Sequence, residues 1–172
     1  RGRGKSLILE AVDRLRNVES LDGKNIAFNR FLFQSVNHRT NTVHFDDAQD
    51  DFEFEKLYSA LTGNLIVEKK GLKPINIPFK KSPKFVISTN YLVKGTGGYS
   101  EERRKLIVGT SDYYGKHLSP KQEFGFLFFD EFTESQWNDF YNTMFLCVQE
   151  YLKNGLPKSE SNKEAEKEIL LD

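Results

Sequence analysis

The stretch Gly2-Arg3-Gly4-Lys5-Ser6, running straight into Leu7-Ile8-Leu9-Glu10-Ala11-Val12, decides how this chain is read. It has the form of the second half of a phosphate-binding loop followed by the helix that the loop caps. In the pattern G-x-x-x-x-G-K-[ST], Gly4, Lys5 and Ser6 fill the final positions. The pattern's first glycine falls before Arg1, so the sequence is expected to begin inside its own nucleotide site. The residue types suit the chemistry. Glycine lets backbone N–H groups approach a dense anion, and the helix N-terminus adds partial positive charge. Lys5 would reach the β- and γ-phosphates, and the Ser6 hydroxyl would ligate Mg²⁺. The plainer alternative is an Arg/Gly-rich terminus leading into an ordinary helix, and the rest of the chain has to decide.

Working outward, Leu7, Ile8, Ala11, Val12 and Leu15 recur at helical spacing and predict a helix over 5–17. Asp22-Gly23 reads as a turn, and Asn25 to Val36, rich in Phe and Ile, as strand with a loop. Thr42-Val43-His44-Phe45 is a short strand ending at Asp46-Asp47. Phe52 to Leu61 reads as a helix closed by Thr62-Gly63-Asn64. Leu65–Glu68 and Pro74–Phe79 form a hairpin tipped by Lys69-Lys70-Gly71-Leu72-Lys73. Lys84–Ser88 has the apolar run of a strand buried on both faces, and it ends in Thr89-Asn90. A Gly-rich loop, Lys94 to Ser100, leads to Glu101-Glu102-Arg103-Arg104 and a strand over Lys105–Gly109. Finally, Trp137, Phe140, Tyr141, Met144, Phe145, Val148, Tyr151 and Leu152 predict a long amphipathic helix from Glu134 to Lys153, stopped by Asn154-Gly155 and Pro157. Its stripe is expected to pack as core.

Composition narrows the classes. The 172 residues have the size of one domain, and 38% hydrophobic against 29% charged residues supports a globular domain with a core. The 15 Phe make that core aromatic-rich. Net charge is zero, so contact with nucleic acid requires a local basic patch rather than a global field. The single cysteine, Cys147, excludes an intramolecular disulfide and is expected as a small buried residue. No apolar run approaches the roughly 18 residues of a membrane span. His38, His44 and His117 lack ligand-like spacing, so zinc is not expected.

Strands that alternate with helices and end in polar residues give an α/β fold whose ligand site lies at the strands' carboxyl ends. Hydrolysis of a nucleoside triphosphate needs a carboxylate near Mg²⁺, a second carboxylate to polarise water and a polar group to sense the γ-phosphate. The chain offers a phosphate loop, an acidic pair, an asparagine and an arginine pair, in that order.

That order resembles superfamily 3 helicases, the AAA+ type of small DNA viruses, poxviruses and phages, and in particular the helicase half of phage-type primase–helicases. Motif A matches Gly4-Lys5-Ser6, motif B Val43-His44-Phe45-Asp46-Asp47, and motif C Phe85-Val86-Ile87-Ser88-Thr89-Asn90. The family's DNA-gripping hairpin lies between B and C, where Leu65–Phe79 stands, and its arginine finger follows C, where Arg103-Arg104 stand. The resemblance covers residues 1–153. It implies an α/β P-loop AAA+ domain of the ASCE type: a parallel sheet with flanking helices over 1–118, lacking its first core strand, a helical part over 119–157 and a polar tail over 158–172.

By the same resemblance, Gly4, Lys5 and Ser6 bind ATP, Ser6 and Asp46 hold Mg²⁺, and Asp47 polarises the attacking water. Asn90 senses the γ-phosphate, and Arg103 or Arg104 is a finger supplied to the next subunit. Lys69, Lys70 and Lys73 grip single-stranded DNA. The parent protein is expected to be a homo-oligomeric ring, a hexamer as in the family, acting in the bacterial cytoplasm in phage, prophage or plasmid replication. The chain from Arg1 is expected to lack ATPase activity, because half the phosphate cradle precedes it. Two rivals stand beside this reading: a non-helicase AAA+ ATPase such as a replication initiator or remodeller, and a catalytically dead fragment that only binds DNA or its parent ring. The plain alternatives for single motifs are a solvated acidic stretch including Asp50-Asp51, solvated hairpin lysines, and arginines paired with Glu101 or Glu102.

Overall fold

The computed structural model describes residues 4–93 and 98–156. Gly2 and Arg3 of the opening motif, residues 94–97 of the Gly-rich loop, and Pro157 with the tail lie outside the described residues. The order is α1 (Lys5–Asp13), β1 (Val18–Asp22), β2 (Thr42–Ala48), α2 (Tyr58–Thr62), β3 (Leu65–Val67), β4 (Ile75–Ile77), β5 (Lys84–Thr89), α3 (Tyr99–Glu102), α4 (Pro120–Phe124) and α5 (Glu134–Asn154). A 3₁₀ turn, Phe54–Leu57, precedes α2. The result is an α/β domain with a small parallel sheet of three strands, in the order β1-β2-β5, and a separate two-stranded antiparallel hairpin, β3-β4.

Side chains alternate across a strand, and the sheet uses both faces differently. Val43 and Phe45 of central β2 are fully buried. Phe45 lies 6.3 Å from Phe85, nearly parallel to it, and edge-on to Phe33 and Phe52 at 6.5 and 5.3 Å. Such offset and edge-to-face pairs add directional attraction to the area they bury. The opposite face carries Ser20, His44 and Ser88, with His44 and Ser88 buried.

The structure corrects several expectations. Residues 25–36 form no strand. They run through turns closed by Asn29 and by backbone bonds from Leu32, Gln34 and Val36. Asparagine side chains offer the backbone a turn in place of a ladder, and Ile26, Phe28, Leu32 and Phe33 cover the core from those turns. The sheet's first strand is instead β1, Val18-Glu19-Ser20-Leu21-Asp22, whose mixed pattern hid it. β5 is an edge strand of the described sheet, and Phe85, Val86 and Ile87 are only half-buried. Residues 105–109 are irregular rather than a strand. They face β5 across a cleft of about 540 Å³, whose walls also include Ile8, Leu9 and Leu61.

The hairpin forms as expected, with Leu65, Ile66 and Val67 opposite Ile77, Asn76 and Ile75. The long helix also stands where its periodicity placed it. A capping box at Thr133 and Gln136 starts it and Gly155 ends it. Its stripe is not core along its whole length. Trp137 and Phe140 pack with Phe129 and Phe132, whereas Phe145, Val148, Tyr151 and Leu152 are exposed. Cys147 is likewise exposed, not buried. The aromatic residues that pack against α5 come from the segment preceding it, which covers only its first half.

Candidate functional site

Gly4 adopts φ 82°, ψ 8°, the left-handed region where glycine alone is unstrained, and its carbonyl receives the N–H groups of Leu7 and Ile8. The glycine of the loop motif is thus a backbone requirement at the start of α1. From this turn, Lys5 Nζ reaches the far end of β5. It donates to the Thr89 carbonyl and to Asn90 Oδ1, each at 2.5 Å.

Asn90 Nδ2 in turn donates to Asp47 Oδ1 at 3.2 Å. Asp47 Oδ2 is paired with Lys24 Nζ at 2.7 Å. Lys5, Asn90, Asp47 and Lys24, distant in sequence, therefore form one connected polar chain across the carboxyl ends of β5, β2 and β1.

The local structure explains why these groups meet. β2 lies between two parallel strands, and its register with β5 breaks after Phe45. Phe45 opposes Ile87 and Ala48 opposes Thr89, so Asp46 and Asp47 together oppose Ser88 alone. This is a β-bulge, a device that re-aims side chains at a strand end. Asp47 absorbs the extra residue with φ 53°, a conformation that Asp tolerates better than most residues. Gly23 fits under the bulge, its N–H donating to the Asp46 carbonyl at 2.8 Å. A Cβ there would meet that oxygen at 2.6 Å.

Asp46 accepts the Ser88 hydroxyl at 2.8 Å, and about half of its side-chain surface remains exposed. Ser6 is exposed in the first turn of α1. Among the described residues no group of three or more His, Cys, Asp or Glu gathers as a metal cluster. Mg²⁺ does not need one, because it keeps several waters and takes one or two protein ligands together with phosphate oxygens. One exposed carboxylate and one hydroxyl suit that mode.

The arginine pair divides. Arg104 is held within its own chain: its guanidinium donates to the Ser100 carbonyl and hydroxyl and lies 4.9 Å from the Tyr58 ring centre. Arg103 is exposed, 5.9 Å from the Tyr99 ring. Glu101, one of the two acids beside them, is buried and pairs with Lys105. Arg104 lines the same cleft as Lys5 and Thr89. Lys70 and Lys73 are exposed and Lys69 half-buried around Gly71, and Lys70 Nζ sits 5.8 Å from the Phe31 ring. Arg30, on that same ring at 4.7 Å, pairs with Glu68, which leads from β3 into the lysine tip.

Sequence reasoning missed Lys24, Gly23 and the pair His44 and Ser88. For the first two the sequence held only the Asp22-Gly23 turn signal, because the strand that ends there, β1, was not legible. Comparison with protein-family models and with curated proteins finds no match to this chain.

Proposed function

We propose that this chain is the ATPase core of a superfamily 3 helicase of the AAA+ type, from a phage- or plasmid-type primase–helicase. The observation that carries the proposal is the hydrogen-bonded connection from Lys5 through Asn90 to Asp47. It brings together a phosphate-loop lysine, a polar sensor and a carboxylate, as hydrolysis of a bound nucleotide requires.

Each residue then has a task. Lys5 exchanges its present acceptors for the β- and γ-phosphates, where its charge offsets theirs. Asn90, released from Lys5, turns its amide toward the γ-phosphate. Asp47 orients the attacking water and accepts its proton. Ser6 and Asp46 would hold Mg²⁺, which supplies charge neutralisation to the phosphates. Arg103 or Arg104 reaches the nucleotide of a neighbouring ring subunit, where a planar, permanently charged fork suits the growing phosphate charge. Lys69, Lys70 and Lys73 meet the phosphates of single-stranded DNA.

The apolar cleft between β5 and residues 104–110 supports the finer fold reading. It runs along β5, the edge strand of the described sheet, on the side where a sheet of that type carries a further strand.

The test is nucleotide hydrolysis and strand separation on a forked duplex by a protein that includes the loop's first glycine. The expected result is ATP turnover raised by single-stranded DNA, together with unwinding. ATP turnover without unwinding would instead assign an initiator or remodeller of the same superfamily. Absence of nucleotide binding with the loop complete would overturn the proposal.

A further inference from the structure

We propose that Ser88 and His44 are positioning residues that hold Asp46 and the Asp46–Asp47 peptide in place. The rate effect expected of them rests on the functional reading above; the hydrogen-bond assignment does not.

The bulge creates a problem that a hydroxyl solves. Where two residues of β2 oppose one of β5, the ladder supplies too few backbone partners. The Asp47 N–H, displaced from the ladder, donates to Ser88 Oγ at 3.1 Å. Ser88 is 7% exposed, so its side chain stands in for a strand carbonyl. Its own proton goes to Asp46 Oδ1, 2.8 Å away. One side chain thus grips the backbone of one acid and the carboxylate of the other.

Counting protons then fixes the state of His44. A serine hydroxyl has one hydrogen and two lone pairs. Asp46, which accepts only, takes the hydrogen, and the Asp47 N–H takes one lone pair. His44 Nε2, 3.0 Å from Ser88 Oγ, faces the remaining lone pair and must bear a hydrogen. A neutral ring therefore carries its proton on Nε2 and leaves Nδ1 as the acceptor for Ser20 Oγ at 3.4 Å. The ring is 5% exposed. Ser20, His44, Ser88 and Asp46 form a single relay with each donor matched to an acceptor. Partly satisfied networks of this kind are costly and fully satisfied ones rigid.

The relay predicts two separable results. In ¹⁵N spectra of the protein near neutral pH, His44 should show the Nε2–H tautomer, and Ser88→Ala should shift the Nε2 resonance. In the ATPase assay, Ser88→Ala should lower kcat by about 10-fold or more, the scale of losing a partner behind a metal-site carboxylate. KM for ATP should change less than about two-fold, because Lys5 and the phosphate loop are untouched, while the Mg²⁺ concentration for half-maximal rate rises. Ser88→Thr, which keeps the hydroxyl, should recover most of the rate. Should Ser88→Ala fail to fold, Ser88→Cys, a much weaker hydrogen-bonding group of similar size, gives the same comparison.

An Nδ1–H tautomer, or an Nε2 resonance indifferent to loss of the Ser88 hydroxyl, overturns the relay. So does a Ser88→Ala enzyme with wild-type kcat and Mg²⁺ dependence. Should the otherwise wild-type protein with the loop complete hydrolyse no nucleotide, the ATPase reading falls and the spectra alone decide for or against the relay.

Discussion

Gly23→Ala tests the geometry of the acidic pair through a single methyl group. An ideal Cβ at Gly23 lies 2.6 Å from the Asp46 carbonyl oxygen and 2.9 Å from both the Cα and the N of Ala48. Comfortable carbon contacts begin at about 3.5 Å, so the methyl overlaps backbone atoms on either side of Asp47. None of them belongs to a flexible side chain, and relief requires β1 and β2 to part. Overpacking of this kind costs about 1–3 kcal/mol. Loss of the Gly23 N–H bond to Asp46 adds about 1 kcal/mol. The smaller entropy of an unfolded alanine returns about 0.4–1 kcal/mol. The net loss is about 1–3.5 kcal/mol, which for a chain of this size lowers Tm by roughly 2–14 °C.

The assay is thermal unfolding followed by circular dichroism, with Gly115→Ala as control. Gly115 has nothing within 4 Å of its would-be Cβ and no positive φ, so that variant should stay within about 0.5 kcal/mol of wild type. A Gly23→Ala protein as stable as the Gly115→Ala control would refute the close approach of β1 to the bulge. The Gly23 variant should also lose turnover well below its Tm, since the atoms it displaces carry the two acids.

Other outcomes follow from the same geometry. In a protein with the loop complete, Asp47→Asn should still bind ATP but lose about 10²-fold or more in turnover, measured by phosphate release. Replacing Lys69, Lys70 and Lys73 together with Ala should weaken single-stranded DNA binding and flatten the log–log salt dependence by about 2, because each phosphate that a lysine neutralises adds about 0.7 to the slope; an unchanged slope would mean that the lysines are merely solvated. Exposed Arg103 is the better placed of the two arginines to act in trans. Mixing Arg103→Ala with Lys5→Ala protein should therefore give more ATPase activity than the two separate rates summed, and mixing Arg104→Ala with Lys5→Ala should not. His44 also gives a pH signature. Its folded pKa lies below the ordinary 6.5, so below that value the unfolded chain binds a proton that the native ring does not. Its contribution to stability is full above pH 6.5 and is lost as pH falls from there through the folded pKa. Urea midpoints should show this fall, and His44→Gln should remove it.

The parts legible in sequence were those written in local chemistry. Gly-Lys-Ser before a periodic apolar run fixed α1, an apolar run ending in acids fixed β2, and turn residues between short β segments fixed the hairpin. The convergence of Lys5, Asp47 and Asn90 was inferred only from the order of motifs. What was not legible depends on neighbours. β1 has Val18 and Leu21 three apart, a helical rather than a strand spacing, and it becomes a strand because β2 offers it a ladder. Lys105–Gly109 has strand composition, yet it stands across the cleft from β5 and remains irregular. The exposed half of α5 has the same stripe as its packed half, since periodicity records which face is apolar but not how far the covering layer extends. Lys24 and Ser88 were hidden for a related reason: each acts across strands, and a bulge register is invisible in one strand's sequence.

The two faces of β2 divide the kinds of error this strand tolerates. Its odd positions, Val43 and Phe45, meet the aromatic layer, where the demand is for volume. Its even positions, His44 and Asp46, meet Ser88, where the demand is for a particular donor or acceptor and size alone does not serve. A library randomised over residues 43–46 should therefore sort with a period of two. Selection for folded protein should keep bulky apolar residues of varied identity at 43 and 45. Added selection for the site's chemistry should narrow 44 and 46 almost to single residues. Drift along this strand would then run freely on one face and be arrested on the other, within a single covalent run of chain.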